Sequence, residues 1–185
     1  MRQLILDNYT VDLFVDHAYS PDDSVHKYNH AYFFAEDGYC GSIFGISVHQ
    51  DDVLLQSAVI GASGGGTGIH PTSLVYDEER LVICCSDSVF CLSLPALDLR
   101  WQTKADLVTC FQIFKYKNDY IVHGELEITR LDGDGKIIWQ RSGGDIFVTL
   151  NSSQKDFLIA EDYILATDWQ SRTYKFDFDG NEIEH

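Results

Sequence analysis

Methionine occurs once and proline only three times in this 185-residue chain, and no two of its cysteines stand in a Cys-x-x-Cys pair. Without that pairing neither a zinc knuckle nor a thioredoxin-like dithiol is available. The five cysteines, Cys40, Cys84, Cys85, Cys91 and Cys110, are odd in number and sit mostly inside apolar runs. Buried reduced thiols in a cytoplasmic protein are the expectation. Positive charge is scarce too: 13 Lys and Arg stand against 29 Asp and Glu, for a formal net charge of −16. Such a surface repels phosphate backbones and anionic headgroups, which argues against nucleic acid or a membrane as partner. It would attract a basic protein, and an acidic surface kept for solubility accounts for it equally well. No run approaches the length of a membrane span, and the N-terminus carries Asp7, Asp12 and Asp16 where a secretory signal would be apolar. Apolar spacing of three and four never persists, so no helix of two or more turns is expected.

What the chain has instead is the composition of strands. Ten Tyr, eleven Phe and a hydrophobic content of 45% favour β-structure with a real core, in one all-β domain over residues 1–185. Residues 1–60 hold irregular strands. RQLILD and TVDLFVD flank Asn8-Tyr9, and Val11, Leu13 and Val15 alternate with Asp12, Phe14 and Asp16 as in a half-buried strand. AYFFAED, a turn at Asp37-Gly38, CGSIFGISVHQ and VLLQSAVIG follow. Residues 61–72 form a loop rich in glycine, expected to be the most mobile segment. From Ser73 the pattern becomes regular, in units over 73–106, 107–143 and 144–185. RLVICCSDSVFCLSLPALDLRWQ, DYIVHGELEITRLDGDGKIIWQ and DYILATDWQSRTYKFDFDGNEIE begin 39 and 43 residues apart. Each reads as apolar strand, polar break, alternating strand, turn and short last strand. In the third unit DIFVTL, FLIAED with YILATDW, RTYKFDF and NEIE are the strands. A strand-only period of about 40 residues means β-meanders stacked face to face.

At LDGDGKIIWQ a family resemblance enters. Gly135-Lys136-x-x-Trp139, after an Asp, resembles the repeat of the pyrroloquinoline-quinone-type β-propellers, with LPALDLRWQ (Leu94 to Gln102) and DFDGNEIE (Asp177 to Glu184) as weaker copies. The match spans about residues 73–185. It implies a small propeller-like array of four-stranded meanders, with four blades, or five if the N-terminal strands count as irregular ones. It also implies that the Asp-rich turn joins the last two strands of a blade and that Trp101 and Trp139 pack between blades. Quinone-dependent members are about three times longer, so no quinone site and no cofactor is carried over. RQLILD is expected to complete the last blade and close the ring, removing exposed edges.

Chemistry is harder to place. Asp132-Gly133-Asp134-Gly135 lacks the bidentate Glu of a calcium loop and reads as a hairpin turn. Gly64-Gly65-Gly66-Thr67-Gly68 lacks the ending of a phosphate loop and the spacing of a dinucleotide fingerprint. As a surface loop, Gly64, Gly65, Gly66 and His70 are candidates for contact with a partner. His17, His30, His49 and His70, with His26, Asp22 and Asp23 nearby in sequence, are candidate metal ligands, although no spacing is diagnostic and ordinary loop or strand histidines explain them as well. No nucleophile elbow is present, and Cys84-Cys85 lies where a thiolate is disfavoured, so no catalytic residue is assigned. Two readings follow. One is a protein-interaction scaffold, including an immunity-type antagonist of a basic protein. The other is an enzyme or a small-ligand or metal-binding protein with its site at the propeller mouth.

Overall fold

The strand pattern resolves into four sheets in a computed structural model, which describes residues 1–20, 27–35, 38–149 and 156–184. The first sheet holds β1 (Arg2–Ile5), β2 (Thr10–Val15), β3 (His30–Phe34), β4 (Ser42–Gln50) and β5 (Val53–Ala62), in the order β1-β2-β4-β5-β3. The second is the meander β6 (Leu74–Asp77), β7 (Arg80–Cys85), β8 (Ser88–Ser93) and β9 (Leu99–Lys104). The third repeats it with β10 (Cys110–Tyr116), β11 (Asp119–Gly124), β12 (Glu127–Leu131) and β13 (Ile137–Ser142). The fourth has β14 (Phe157–Ile159), β15 (Ile164–Thr167) and β16 (Thr173–Phe176), and a bridge from Phe176 to Glu182 stands where a fourth strand would run. No helix occurs among the described residues.

Three expectations need correction. RQLILD does not complete the last blade: β1 pairs antiparallel with β2, Arg2 opposite Leu13 and Ile5 opposite Thr10. A two-residue turn makes that local hairpin cheaper in loop entropy than pairing with the far end of the chain. AYFFAED, followed by the turn expected at Asp37-Gly38, does not pair with the next strand, β4. Its strand β3 lies parallel to β5, His30 opposite Ala58 and Phe34 opposite Ala62, as the edge strand of the sheet. DIFVTL forms no strand over residues 145–149, where Phe147 is instead buried from a loop. Asp37, His26, Asp22 and Asp23 lie outside the described residues.

Faces of neighbouring sheets bury three apolar cores. Val11, Leu13, Phe44, Ile46, Ala58 and Ile60 of the first sheet meet Leu81, Ile83, Phe90 and Leu92 of the second. Val82, Cys84, Val89 and Cys91 meet Ile113, Tyr120 and Val122 of the third. Ile121, Ile128 and Trp139 meet Phe157, Ile164, Ala166 and Phe176 of the fourth. The two central sheets are therefore covered on both faces, which is why β7 and β8 read as nearly continuous apolar runs. Among the described residues no strand pairing and no buried apolar cluster joins the fourth sheet to the first. The array is open.

Part of the outer face of the first sheet is covered by its own chain. Gly45 and Gly61 leave room there for aromatic rings: a Cβ would stand 2.4 Å from Phe14 and the Tyr28 hydroxyl at Gly45, and 2.7 Å from Phe33 at Gly61. The Tyr28 hydroxyl donates to Asp16 at 2.6 Å, and Asn29 and Ser57 exchange hydrogen bonds. Covering part of this face reduces the apolar surface that the end unit of a stacked array exposes.

Candidate functional site

Each meander has a turn end, carrying the connections between its first and second and its third and fourth strands. The loop end carries the middle turn and the crossing to the next sheet. The turn end is built by the Asp/Gly segments. Asp132 accepts the backbone N–H groups of Asp134 (2.9 Å) and Lys136 (2.8 Å), while Gly135 takes a φ of +80°. A Cβ on Gly135 would stand 2.5 Å from the Trp101 ring, and the Trp101 Nε1–H donates to the Gly133 carbonyl at 3.1 Å. The next copy repeats the device. Asp177 accepts the Asn181 N–H at 2.8 Å, Gly180 takes +81°, and the Trp139 Nε1–H donates to the Phe178 carbonyl at 2.9 Å. The turn of one sheet is thus locked over the tryptophan of the preceding one. Trp139 is 7% exposed and Trp101 half-buried, as expected for interface residues, whereas Trp169 is 45% exposed. These Asp/Gly segments are turns, and among the described residues no group of three or more His, Cys, Asp or Glu side chains is placed to hold a metal ion.

Acidic side chains divide between the two ends by environment. At the loop end Asp16, Asp87, Asp106 and Asp168 are buried and fully employed. Asp106 accepts four backbone N–H groups, from Val108 (2.6 Å), Thr109 (2.9 Å), Leu126 (2.9 Å) and Glu127 (2.7 Å), pinning the crossing between the second and third sheets to the β11–β12 turn. Asp87 pairs with Lys104 at 2.9 Å. Asp168 accepts from Arg172 Nε–H and the Tyr174 hydroxyl, both at 2.8 Å. Burial pushes the Asp168 carboxyl up, but the Arg172 and Tyr174 hydrogen bonds and the guanidinium charge hold it below the usual carboxylate range.

The turn end is different. Asp7, Asp51, Asp52, Glu78, Glu79, Asp98, Asp134, Glu161, Asp162 and Asp179 are all exposed there, with Lys117 and Lys136 the lysines of the same turns. Asp77 sits beneath them, taking Arg80 at 2.9 Å and the Tyr120 hydroxyl at 2.6 Å together with Lys115. Its carboxyl feels burial upward, yet Lys115, Tyr120 and Arg80 bring it down. Between the second and third sheets this face holds a cleft of about 720 Å³ lined by Glu78, Glu79, Arg80, Arg100, Trp101, Gly133 and Asp134. Arg80 is committed within it, donating to the Gly133 carbonyl at 3.1 Å as well as to Asp77. Among the described residues ten of the twelve exposed carboxylates therefore lie at the turn end, Glu182 and Glu184 of the last segment being the others, a distribution that composition alone does not reveal.

The glycine loop lies at the opposite end. Its backbone is tied down: Gly65 N–H donates to the Val108 carbonyl at 2.8 Å, and the buried Thr67 hydroxyl donates to the Cys110 carbonyl at 3.0 Å. Gly64 (φ +101°) faces the Val108 carbonyl and Gly65 the Thr109 hydroxyl, each about 2.2 Å from where a Cβ would stand. These glycines are needed for close packing, and the segment is anchored at both sheets rather than loosely hung. Gly64 and Gly66 remain exposed at its outer edge, and His70 is held within the loop by its N–H bond to Ser73 and its Nδ1 contact with Thr72 at 3.1 Å. The other candidate histidines are dispersed. His17 is exposed, His30 stacks on Tyr32, and His49 lies 3.5 Å from Asp12. The histidine that the fold singles out is His123, buried between Phe157 (4.7 Å, stacked) and Phe111, with Nε2 3.0 Å from the Phe147 carbonyl and Nδ1 3.1 Å from the Gln112 side chain. Burial pushes its pKa down to about 4. Its place inside an apolar strand was the only sequence signal for it. Burial likewise pushes the Cys84, Cys85 and Cys110 thiols far up, which suits inert core residues.

No family model matches the chain, and no curated protein matches it in sequence. Solved structures do. BamB from Moraxella catarrhalis superposes with a TM-score of 0.54 at 15% identity, over 78% of this chain and 45% of that one. The computationally designed Ika4 protein gives a TM-score of 0.50 at 8% identity, over 66% of this chain and 78% of that one. The WD40 domain of Pan2 from Neurospora crassa gives 0.48 at 14% identity, over 62% and 39%. This chain spans less than half the length of BamB. The likeness establishes the fold: an all-β array of propeller-type meanders, consistent with the repeat read from LDGDGKIIWQ.

Proposed function

We propose that this chain is a protein-interaction scaffold whose turn end presents an acidic face to a basic protein partner. The observation that carries this reading is the separation of carboxylates among the described residues: Asp16, Asp87, Asp106 and Asp168 at the loop end are buried, while ten at the turn end are exposed. A field of one sign on one face steers an oppositely charged partner and weakens as salt rises. A finer version is an immunity-type antagonist, whose acidic face covers the working surface of a basic protein. The buried unpaired thiols suit a reducing, cytoplasmic setting. Gly64, Gly65, Gly66 and His70 form a second, loop-end contact candidate. The same charge disfavours nucleic acid and anionic membrane as partners.

Affinity capture from the native cytosol at low and moderate salt, read by mass spectrometry and repeated with the purified partner, tests the reading. One dominant basic protein, released as salt rises and bound less well by a Glu78→Gln, Glu79→Gln, Asp134→Asn variant, supports it. Binding that ignores both salt and these changes would refute it. The cleft of about 720 Å³ favours a second reading, a small-ligand site, which predicts that a metabolite or metal copurifies in stoichiometric amount.

A further inference from the structure

Resting on the acidic-face reading, we propose that the β4–β5 hairpin is its anchor, and that it takes an extended partner segment in which apolar residues alternate with Lys or Arg. Three observations meet there. Val53, Leu54 and Leu55 are consecutive and 62%, 53% and 42% exposed, the longest such run in any strand among the described residues. Successive strand residues face opposite sides, so these three flank the hairpin tip on both faces rather than lie on one, and apolar side chains exposed together mark interaction surfaces. The row across the sheet extends the patch, since Leu54 is opposite His49, His49 opposite Thr10, and Thr10 opposite Ile5, itself 79% exposed.

The second observation is an open edge. Strand β3 covers β5 only from His30 opposite Ala58 onward, so among the described residues no strand pairs with Val53–Gln56 on that side. Free backbone N–H and C=O groups on such an edge accept an added strand, with side-chain alternation supplying specificity. The third is the charge. Asp51 and Asp52, both with positive φ (50° and 63°), form the turn directly before this edge and are exposed. A primed turn of this kind matches the twist of the two long strands and holds both carboxylates beside the patch. A second copy of this chain would bring two such turns and a further −16 of charge against each other, so the complementary occupant is cationic.

The probe is a synthetic acetylated and amidated peptide of alternating Val and Lys, with a Val/Glu peptide and a block-ordered Val/Lys peptide as controls. Binding is followed by calorimetry at low and moderate salt, and the site by backbone hydrogen exchange. The alternating Val/Lys peptide should bind and slow exchange at Val53–Gln56, and the controls should not. Leu54→Asp, or Leu55→Asp as an independent change at the neighbouring exposed position, should weaken binding by roughly tenfold or more, as loss of a buried Leu implies. Asp51→Asn with Asp52→Asn should flatten the salt dependence. Absence of binding, equal binding by the Leu54→Asp protein, protection at another site, or self-association that Leu54→Asp abolishes would each overturn the anchor. Protection at the Glu78–Asp134 cleft, or a native basic partner indifferent to Leu54→Asp, would do so while leaving the acidic face itself in place.

Discussion

Replacing Asp106 by Asn tests the loop-end architecture at its most concentrated point. The side chain is 1% exposed and its two oxygens share four backbone N–H donors, Val108 and Thr109 on one oxygen, Leu126 and Glu127 on the other. Asparagine has nearly the same shape but keeps one acceptor and turns an NH₂ group toward two donors. Two charge-assisted hydrogen bonds are lost and their N–H groups stay buried, at about 1.5–3 kcal/mol each. The expected loss is therefore about 3–6 kcal/mol, a large share of the roughly 5–15 kcal/mol that keeps a domain folded. Urea denaturation should show the midpoint falling with the slope unchanged. Gly124→Ala is the companion change, because its Cβ would stand 2.2 Å from Asp106 Oδ2 and displace that oxygen. Both substitutions break the same contacts, so the double variant should lose clearly less than the sum of the singles. A loss below about 1 kcal/mol for Asp106→Asn, or strict additivity with Gly124→Ala, would refute the claim that this carboxylate ties the second and third sheets together.

Further outcomes follow from the same structure. Trp139→Ala should cost about 3–5 kcal/mol by urea titration, since it leaves a cavity in the third core and removes one of the two donors to the Phe178 carbonyl, Arg130 being the other. Gly135→Ala should cost about 1–3 kcal/mol in the same assay, from its φ of +80° and its contact with Trp101. His123 predicts a pH dependence with a definite sign. Its folded pKa of about 4 lies below the ordinary value of 6.5, so between these values the unfolded chain takes up a proton that the folded protein refuses. Stability should fall as pH drops through that window, by on the order of 3 kcal/mol, and this group should contribute no further loss below it. His123→Gln should flatten this part of a denaturation-versus-pH series. Cys84, Cys85 and Cys110, all fully buried with raised pKa, should resist a thiol reagent in the native protein and react on unfolding, as mass spectrometry would show.

Much of the architecture was legible because it is written locally. Alternation at Val11, Leu13 and Val15, the apolar runs of β7 and β8, and the Asp/Gly turns before Gly135 and Gly180 each act within a few residues, and the repeat spacing of such elements specifies stacked meanders. The tryptophans at 101 and 139 were placed from the repeat alone. What failed was long-range. Whether RQLILD pairs with β2 or with the last sheet, and whether AYFFAED joins β4 or runs parallel beside β5, depends on which edge is free once the cores form, and no short window holds that information. The glycine loop was read as mobile because glycine permits motion, yet packing against Val108 and Thr109 uses the same missing Cβ to fix it in place.

The sequence by itself determined the fold class, the repeat, the large negative charge and the lack of a catalytic or metal motif, since these depend on composition and local pattern. Only the tertiary structure decided where that charge lies. Aspartates of identical chemistry became internal staples at Asp106 and Asp168 and solvent-facing carboxylates at Asp51, Asp52 and Asp134. The difference lies in what the fold packs around each carboxylate: Asp106 takes two of its four N–H donors from Leu126 and Glu127, 20 and 21 positions away, and Asp168 is buried with Arg172 and Tyr174 bound to it.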